Sequence, residues 1–541
     1  MSIKNLKSTT SIVEKGNFSK KKNSKWIIAA ILFIAVIAFS NSIKNDFLTN
    51  WDDNTYIINN PQVKDFSWQG IKNIFSNYQI GNYHPLTMLC YTVEYKLFGL
   101  NPKAFHFFNL FFHLLNIILV FQLVLLLSGR FETSIITSTL FAIHPMHVES
   151  VAWISETKDV LYSFYFLSTL ICYILYLKQG QQKYYIFSLL LFICSLLSKS
   201  AAVILPILLI LFDYYLNKPF NKKMFFEKIP FFILSIILGF IALDSQSSSG
   251  AIDLAPHYSL FDRLFIANYA VVIYLFKLFS PISLSAMYGY PIKADNLLPI
   301  IYYISPVFIL SFVLLIIKSK SALKKELIFG SLFFIITISL VLQILPFGRA
   351  LIAERYTYIP YIGLFYMVGS FYSLINENKI DMKYNLKSYF QYILVSVVLI
   401  FSIVTWNRNK VWKNGYTLFS DVIEKDPNIG YAYFARAEAK DDMHDYVGAI
   451  TDFTKSIEFN PSFMDAYLNR GVMKHNLKDN KGAVEDFTKA ITISPKNAAL
   501  YMNRGICKLD LNLGKDACND FQKAASMKFE SANIMIQKYC K

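Results

Sequence analysis

This sequence is short of charge. Asp, Glu, Lys and Arg together make up 17% of its 541 residues, against roughly a quarter in a soluble globular protein, and that shortage excludes a water-soluble enzyme. The six cysteines, Cys90, Cys172, Cys194, Cys507, Cys518 and Cys540, form no CxxC or zinc-ligand spacing, which excludes a cysteine-based zinc module. No small-residue cleavage pattern follows the first apolar run, so the amino-terminal segment reads as a retained anchor rather than a cleaved signal.

What fills the space is apolar. Hydrophobic residues make up 54% of the chain, with 48 Phe and 35 Tyr, and the mean hydropathy is +0.37. This is the composition of a polytopic membrane protein. The formal charge of +16 would suggest nucleic acid in a soluble chain. Here the lysines gather in short loops between apolar runs, which is a topology signal, and no nucleic-acid partner is expected.

A span needs about 20 apolar residues. Candidates lie near 26–43, 104–127, 132–148, 160–177, 184–198, 200–216, 229–243, 263–280, 297–317, 327–346, 355–374 and 389–405. The basic tail with Lys20, Lys21, Lys22 and Lys25 puts the amino terminus in the cytoplasm, and the loops bearing Arg130, Lys178 with Lys183, and Lys218 with Lys222, Lys223 and Lys228 follow it there. If 263–280 also crossed, the basic loop of Lys318, Lys320, Lys324 and Lys325 and the later Lys379, Lys383 and Lys387 would lie outside. Arg263, Asn268 and Lys277 also interrupt that run. It therefore reads as interfacial or re-entrant, leaving about eleven spans and an extracytoplasmic carboxyl terminus.

The carboxyl-terminal part repeats. Tyr433, Tyr467 and Tyr501 recur at a 34-residue spacing, in register with Arg436, Arg470 and Arg504, with Phe453, Phe487 and Phe521, and with Pro427, Pro461 and Pro495. This is the tetratricopeptide signature, two helices per unit. Ala449, Ala483 and Ala517 are small where the helices cross, and the prolines end each second helix. Cys507 and Cys518 share one unit; an oxidising compartment would allow them to pair, although free buried thiols are the simpler reading. The expected organisation is a basic tail over 1–25, a membrane domain over 26–405, a linker with half a repeat over 406–430, and three repeats with a tail over 431–541. The fold class is all-α: a multi-span helical domain followed by an α-solenoid. Such a stack grips peptides or proteins, with Arg436, Arg470 and Arg504 as acceptor-binding candidates beside the varying Phe434, Leu468 and Met502. The repeats are expected to choose the acceptor and do no chemistry, so that a chain ending near Thr405 would still act on a short peptide.

Four extracytoplasmic segments hold the polar residues that apolar packing does not explain. They are WDDNTYIINNP with NYHPLT after it, HPMHVESVAWISETKDVL, LLSKS, and AERYTYIPYIG. An unpaired carboxylate within the bilayer costs roughly 2.5 to 3.5 kcal/mol on insertion scales, so the adjacent acids Asp52 and Asp53 belong at or outside the interface. There a carboxylate can take a proton from a hydroxyl. The plain alternative is a turn or helix cap, since Asp followed by Asn and Thr is ordinary turn material. Lys158, Lys199 and Arg355 are the external cations placed to hold a phosphate. His84, His144, His147, Glu149 and Glu354 complete the candidates. His144, His147 and Glu149 also invite a metal reading, which is not favoured because Pro145 breaks the helix between the histidines; no cofactor is expected. His106, Asn109 and His113 share a helical face and are expected to bond to neighbouring helices.

These motifs in this order, followed by the repeats, resemble the transmembrane and tetratricopeptide repeat-containing O-mannosyltransferases and their bacterial relatives, over nearly the whole chain. The resemblance implies a C-type glycosyltransferase fold whose first external loop carries the catalytic acid. It also implies a polyprenyl-phosphate-linked sugar as donor, mannose by analogy, and Ser or Thr hydroxyls of extracytoplasmic proteins as acceptors. A bacterial cell membrane with the repeats outside is the implied location. Two competing classes are a transferase acting on an envelope glycan or lipid, and a non-enzymatic assembly factor. Eleven spans and charged residues gathered on one face favour an enzyme.

Overall fold

Apolar runs bounded by glycine, proline or short basic loops build helices throughout. Among the described residues there is no strand, only the isolated bridges of Gln79 with Asn82 and Ala294 with Leu297. The structure, a computed structural model, describes residues 25–248, 258–319, 321–344, 350–380 and 386–540. The expected tail lysines Lys20 to Lys22, and Lys320 and Lys383, lie outside the described residues. The chain divides into two units, one of Met1–Phe47 with Thr55–Lys413 and one of Leu48–Asn54 with Asn414–Lys541. The division therefore falls at Lys413 and Asn414 rather than at 405, and Leu48–Asn54 groups with the repeats rather than with the membrane helices. The reason at 405 is local: the last membrane helix continues to Val411, and the Asn409 side chain donates to the carbonyls of Ala38 at 3.2 Å and Thr405 at 2.7 Å.

The membrane unit contains α1 (Lys25–Lys44), α2 (Trp68–Ser76), α3 (Pro85–Phe98), α4 (Pro102–Ser128), α5 (Phe131–Ile143), α6 (Val148–Ala152), α7 (Thr157–Gln179) and α8 (Gln182–Ser198). It continues with α9 (Leu205–Tyr215), α10 (Lys222–Phe226), α11 (Ile229–Ser248), α12 (Leu260–Phe279), α13 (Ile300–Lys318), α14 (Ser321–Ile338), α15 (Tyr361–Asn376) and α16 (Leu386–Val411). Every expected span has a helix. Among the described residues, however, six stretches are long and apolar enough to cross a membrane by themselves: Lys25–Lys44, Pro102–Ser128, Ile154–Gln179, Lys222–Ser248, Ile300–Lys318 and Ser388–Val411. The 11 residues of α9 rise about 16 Å, half a bilayer core. α9 is preceded by the 3-10 turn Ser200–Ile204, and α5 is buried along most of its length, so protein rather than lipid surrounds these shorter helices. Where α14 and α15 cross, Gly330 and Gly363 meet so closely that a Cβ on either would stand 2.5 Å from the other's carbonyl oxygen. Glycine is the residue that permits that approach.

The two ends of the helices are chemically distinct. At one end Arg130 bonds to Glu326 at 2.8 Å and Glu377 at 3.1 Å, Lys218 to the Leu177 carbonyl at 2.7 Å, and Lys325 to Asn217 at 3.1 Å. The loops expected to share the cytoplasmic side are thus stitched together. The other end carries the polar motifs. α12 lies along that second end: Tyr269 packs on Tyr302 in the first turn of α13 at 4.2 Å, Tyr361 donates to the Tyr274 carbonyl at 2.6 Å, and His144 meets the Leu278 carbonyl at 3.1 Å. These contacts fall between Tyr269 and Leu278, in the second half of α12.

In the repeat unit, α17 (Gly415–Lys425) is the half repeat, and the pairs α18 (Gly430–Asp442) with α19 (Tyr446–Phe459), α20 (Met464–Asn476) with α21 (Asn480–Ile493), and α22 (Ala498–Asp510) with α23 (Gly514–Ser526) are the three full ones. α24 (Glu530–Tyr539) closes the stack. Ala449, Ala483 and Ala517 are fully buried at the crossings. Phe434 and Met502, expected on the concave face, are instead buried in the core, and Leu468 packs partly buried against it, because apolar side chains of this size fill the space between helix pairs. Cysteine pairing also differs from the expectation. Cys518 bonds to Cys540 on the closing helix, while Cys507 is a free thiol buried between repeats beside Phe487.

Candidate functional site

Pro145 ends α5 and starts a chain of short turns. The 3-10 turn Pro145–His147, α6, and the 3-10 turn Ile154–Glu156 carry the backbone from α5 to α7 entirely buried. A buried irregular backbone needs hydrogen-bond partners, and α4 supplies them. Asn109 donates to the Trp153 carbonyl at 2.9 Å and accepts from Thr157 at 2.5 Å; Asn116 donates to the Val160 carbonyl at 2.9 Å; and His113 bonds to Tyr358 at 2.7 Å and to the Ala142 carbonyl at 3.2 Å. The expected bonding role of this α4 face is met at Asn109 and His113.

The short turns present Glu149 and Glu156, and the first turn of α7 presents Lys158 and Asp159, to Lys199, at the end of α8, and to Arg355, in the 3-10 turn Glu354–Thr357. Lys158 lies 3.2 Å and Lys199 3.7 Å from the Glu156 carboxylate, and Arg355 reaches it through Nε at 3.2 Å. Lys199 also pairs with Asp159, and Arg355 with Glu149. The Ser150 hydroxyl donates to the remaining Asp159 oxygen at 3.1 Å. The carboxylates are sealed while the three cations keep a part-exposed side: the Glu156 side chain is 1% exposed, that of Lys199 23%. Paired acids thus brace a layer of cations. Sealed carboxylates would be strongly destabilising alone, so the arrangement holds three positive groups close together without mutual repulsion dominating.

Aromatic rings complete the setting. Lys158 stands 5.2 Å from the Tyr56 ring and 5.8 Å from that of Trp153, which Arg355 approaches at 5.5 Å. Trp153 is buried and stacked on Trp412 at 5.8 Å, so its ring serves the cations. His84 packs beside Tyr56 at 5.2 Å. Burial, and next the nearby Lys158, hold His84 neutral with its pKa down to about 3. Thr87, from the same NYHPLT motif, donates to the Ser198 carbonyl at 2.9 Å.

The structure thus brings together Lys158, Lys199, Arg355, Glu149 and His84. Glu354 lies in the same turn as Arg355 and pairs with Arg408 at 3.4 Å and Tyr288 at 3.2 Å. His144 and His147 are buried and turn to the carbonyls of Leu278 and Phe141, at 3.1 and 2.9 Å, and Glu149 turns to Arg355. Glu156, Asp159 and Arg408 are the members that sequence reasoning missed. Glu156 and Asp159 had a signal: two acids three residues apart at the start of a helix share one face.

Asp52 and Asp53 belong to the repeat unit. Asp53 is fully buried and accepts from the Leu48 amide at 2.9 Å, while Asp52 is half-buried. Arg436, Arg470 and Arg504 each grip an aspartate of the same repeat through two nitrogens: Asp452, Asp486 and Asp520, at 2.6 to 2.9 Å. Each lies near the tyrosine three residues before it, at 5.6 to 5.7 Å from the ring centre. The repeating arginines are therefore built into the fold of each unit.

The chain has relatives among the protein O-mannosyl-transferases. It is 27% identical over 180 residues to protein O-mannosyl-transferase TMTC4 of Mus musculus, covering 29% of this chain and 24% of the relative. It is 30% identical over 154 residues to protein O-mannosyl-transferase TMTC1 of Homo sapiens, covering 27% and 17%. A protein O-mannosyl-transferase of Caenorhabditis elegans matches at 22% over 465 residues, 81% of this chain and 64% of the relative. In each case the match spans less than two thirds of the relative's length. A tetratricopeptide repeat family model matches residues 465–497. Among solved structures, an Archaeoglobus fulgidus oligosaccharyltransferase tethered with an acceptor peptide superposes on 75% of this chain and 58% of its own, with TM-score 0.42 and 13% identity. ArnT from Cupriavidus metallidurans bound to undecaprenyl phosphate superposes on 88% and 81%, with TM-score 0.39 and 10% identity.

Proposed function

We propose that this chain is a membrane glycosyltransferase that moves a sugar, mannose by its relatives' names, from a polyprenyl-phosphate-linked donor to Ser or Thr hydroxyls of extracytoplasmic proteins. The observation that carries the reading is the layer of Lys158, Lys199 and Arg355 over the sealed Glu156. A lipid phosphate that leaves a sugar carries away the bonding electron pair, and fixed cations stabilise that charge where it develops. Arg355 offers a forked, permanently charged donor, and the two lysines add point charges.

The acceptor hydroxyl attacks the anomeric carbon, the bond from that carbon to the phosphate oxygen breaks, and the hydroxyl proton passes to a carboxylate. We assign that proton to Asp52. Its half-buried side chain is more accessible than that of Asp53, whose carboxylate closes a turn on the Leu48 amide. General-base assistance of this kind is typically worth about 100 to 10,000-fold. No metal or other cofactor has a role in the scheme.

The disulfide of Cys518 with Cys540 supports repeats that face an oxidising, extracytoplasmic space. In a bacterium that is the outer side of the cell membrane, where a lipid-linked donor replaces nucleotide sugars. The repeats supply the acceptor-binding surface. Incubation of the purified chain with a polyprenyl-phosphate mannose and a Ser/Thr-rich protein, followed by mass analysis of both, tests the proposal. A gain of one hexose on the protein, matched by release of polyprenyl phosphate, is the expected result. Consumption of donor with sugar appearing only on glycan or lipid would replace the protein acceptor, and no consumption of any hexose donor would remove the enzyme reading.

A further inference from the structure

The segment Leu48–Asn54 carries both acids, and the side chains of Thr49, Asn50 and Trp51 within it are held by the half repeat and the first full repeat. Asn50 donates through Nδ2 to the Ala435 carbonyl of α18 at 2.6 Å, and the Thr49 hydroxyl donates to Asp442 at the end of the same helix at 2.5 Å. The Trp51 ring packs on Phe419 of α17, with centroids 5.5 Å apart. Gly415, the first residue of α17, leaves room for Asn50; a Cβ there would stand 2.1 Å from Asn50 Oδ1. The fourth contact is internal, the turn in which Asp53 accepts from the Leu48 amide. Leu48, Asn50 and Asp53 are all buried. A loop that served only to link two spans would leave such side chains in water.

We propose that the start of the repeat stack positions the acid pair, so that the repeats serve the chemistry of transfer as well as the choice of acceptor. Asn50, Thr49 and Gly415 are then positioning residues: they fix where the 52–53 carboxylates stand. This rests on the assignment of the base to that pair. It reverses the expectation that a chain ending near Thr405 would still act on a short peptide, because such a chain lacks α17 and α18.

The test uses the full chain with Asn50→Ala and, separately, Gly415→Ala. One readout is hydrogen exchange of the peptide covering 48–54; the other is kcat and donor KM with a short Ser/Thr peptide as acceptor. Exchange faster by tenfold or more, with kcat down at least tenfold and donor KM within twofold, is the expected result in both variants. Unchanged exchange in both would overturn the docking. Faster exchange with unchanged turnover would overturn the positioning role, as would loss confined to protein acceptors. Asp52→Asn and Asp53→Asn run alongside: wild-type turnover in both would remove the base assignment and the positioning role with it, while exchange would still decide the docking.

Discussion

Arg355 and Glu149 are joined twice: the Arg355 backbone amide donates to Glu149 Oε2 at 2.9 Å, and its guanidinium donates to the other oxygen. Burial pushes the Glu149 carboxyl above its usual range, and Arg355 beside it pulls the other way. The third contact, from Arg355 Nε to Glu156, sets the plane of the fork. Arg355→Lys keeps the charge that Glu149 needs but not that plane. We expect donor KM to rise roughly tenfold, the scale of one charge-assisted hydrogen bond, with the melting temperature little changed. Arg355→Ala should cost stability as well, about 3 to 5 kcal/mol for stranded buried charge. Donor titrations and thermal melts of both variants check this, and an unaltered donor KM in the lysine variant would remove the fork from donor binding.

The two acids should separate by role. Asp52→Asn is expected to lower kcat by roughly 100-fold or more without altering the melt, whereas Asp53→Ala should also loosen the turn it closes with Leu48. Single-turnover transfer assays measure the first effect and hydrogen exchange at 48–54 the second. A reversed ranking of kcat would move the base to Asp53.

Glu438, half-buried in α18, should make the repeat unit sensitive to pH. Burial first, then Asp442, Asp465 and Asp441, push its pKa up to about 8. The folded state therefore holds a proton that the unfolded state releases above about 4.5, and stability falls as pH rises from 4.5 to 8. Asp441 is shifted in the same direction. Melts of the full chain should show the repeat transition lower at pH 8.5 than at pH 5.5, with Glu438→Gln flattening the difference. An equal slope in the variant would place the dependence elsewhere.

Cys518 and Cys540 close a loop with a sequence separation of 22, for which chain entropy predicts roughly 3 kcal/mol. Cys540→Ser should lower the melting of the repeat unit and leave one added thiol reactive to alkylation after unfolding. An identical melt with and without reductant would show that the closing helix is held by its apolar contacts alone.

Periodicity and hydropathy are local properties, and they sufficed for much of this protein. The 34-residue register of Tyr, Arg, Phe and Pro placed the repeat helices, and apolar run length placed the membrane helices. The cations Lys158, Lys199 and Arg355 were legible as charges that no apolar packing explains. What they touch was not. Lys199 meets Glu156 across 43 residues and Arg355 meets Glu149 across 206, and pairs so far apart in the chain leave no spacing to read. The repeating arginines looked available for a ligand because a sequence does not show that each faces an aspartate 16 residues on. Phe434 and Met502 looked like surface variation because size, not identity, is what the core between helix pairs demands. The grouping of Leu48–Asn54 with α17 and α18 was decided wholly by tertiary structure: it rests on one amide, one hydroxyl and one indole meeting helices whose residues lie 368 to 393 positions away. Local pattern determines which helices form; only their packing determines which polar groups lose water together and must therefore be paired.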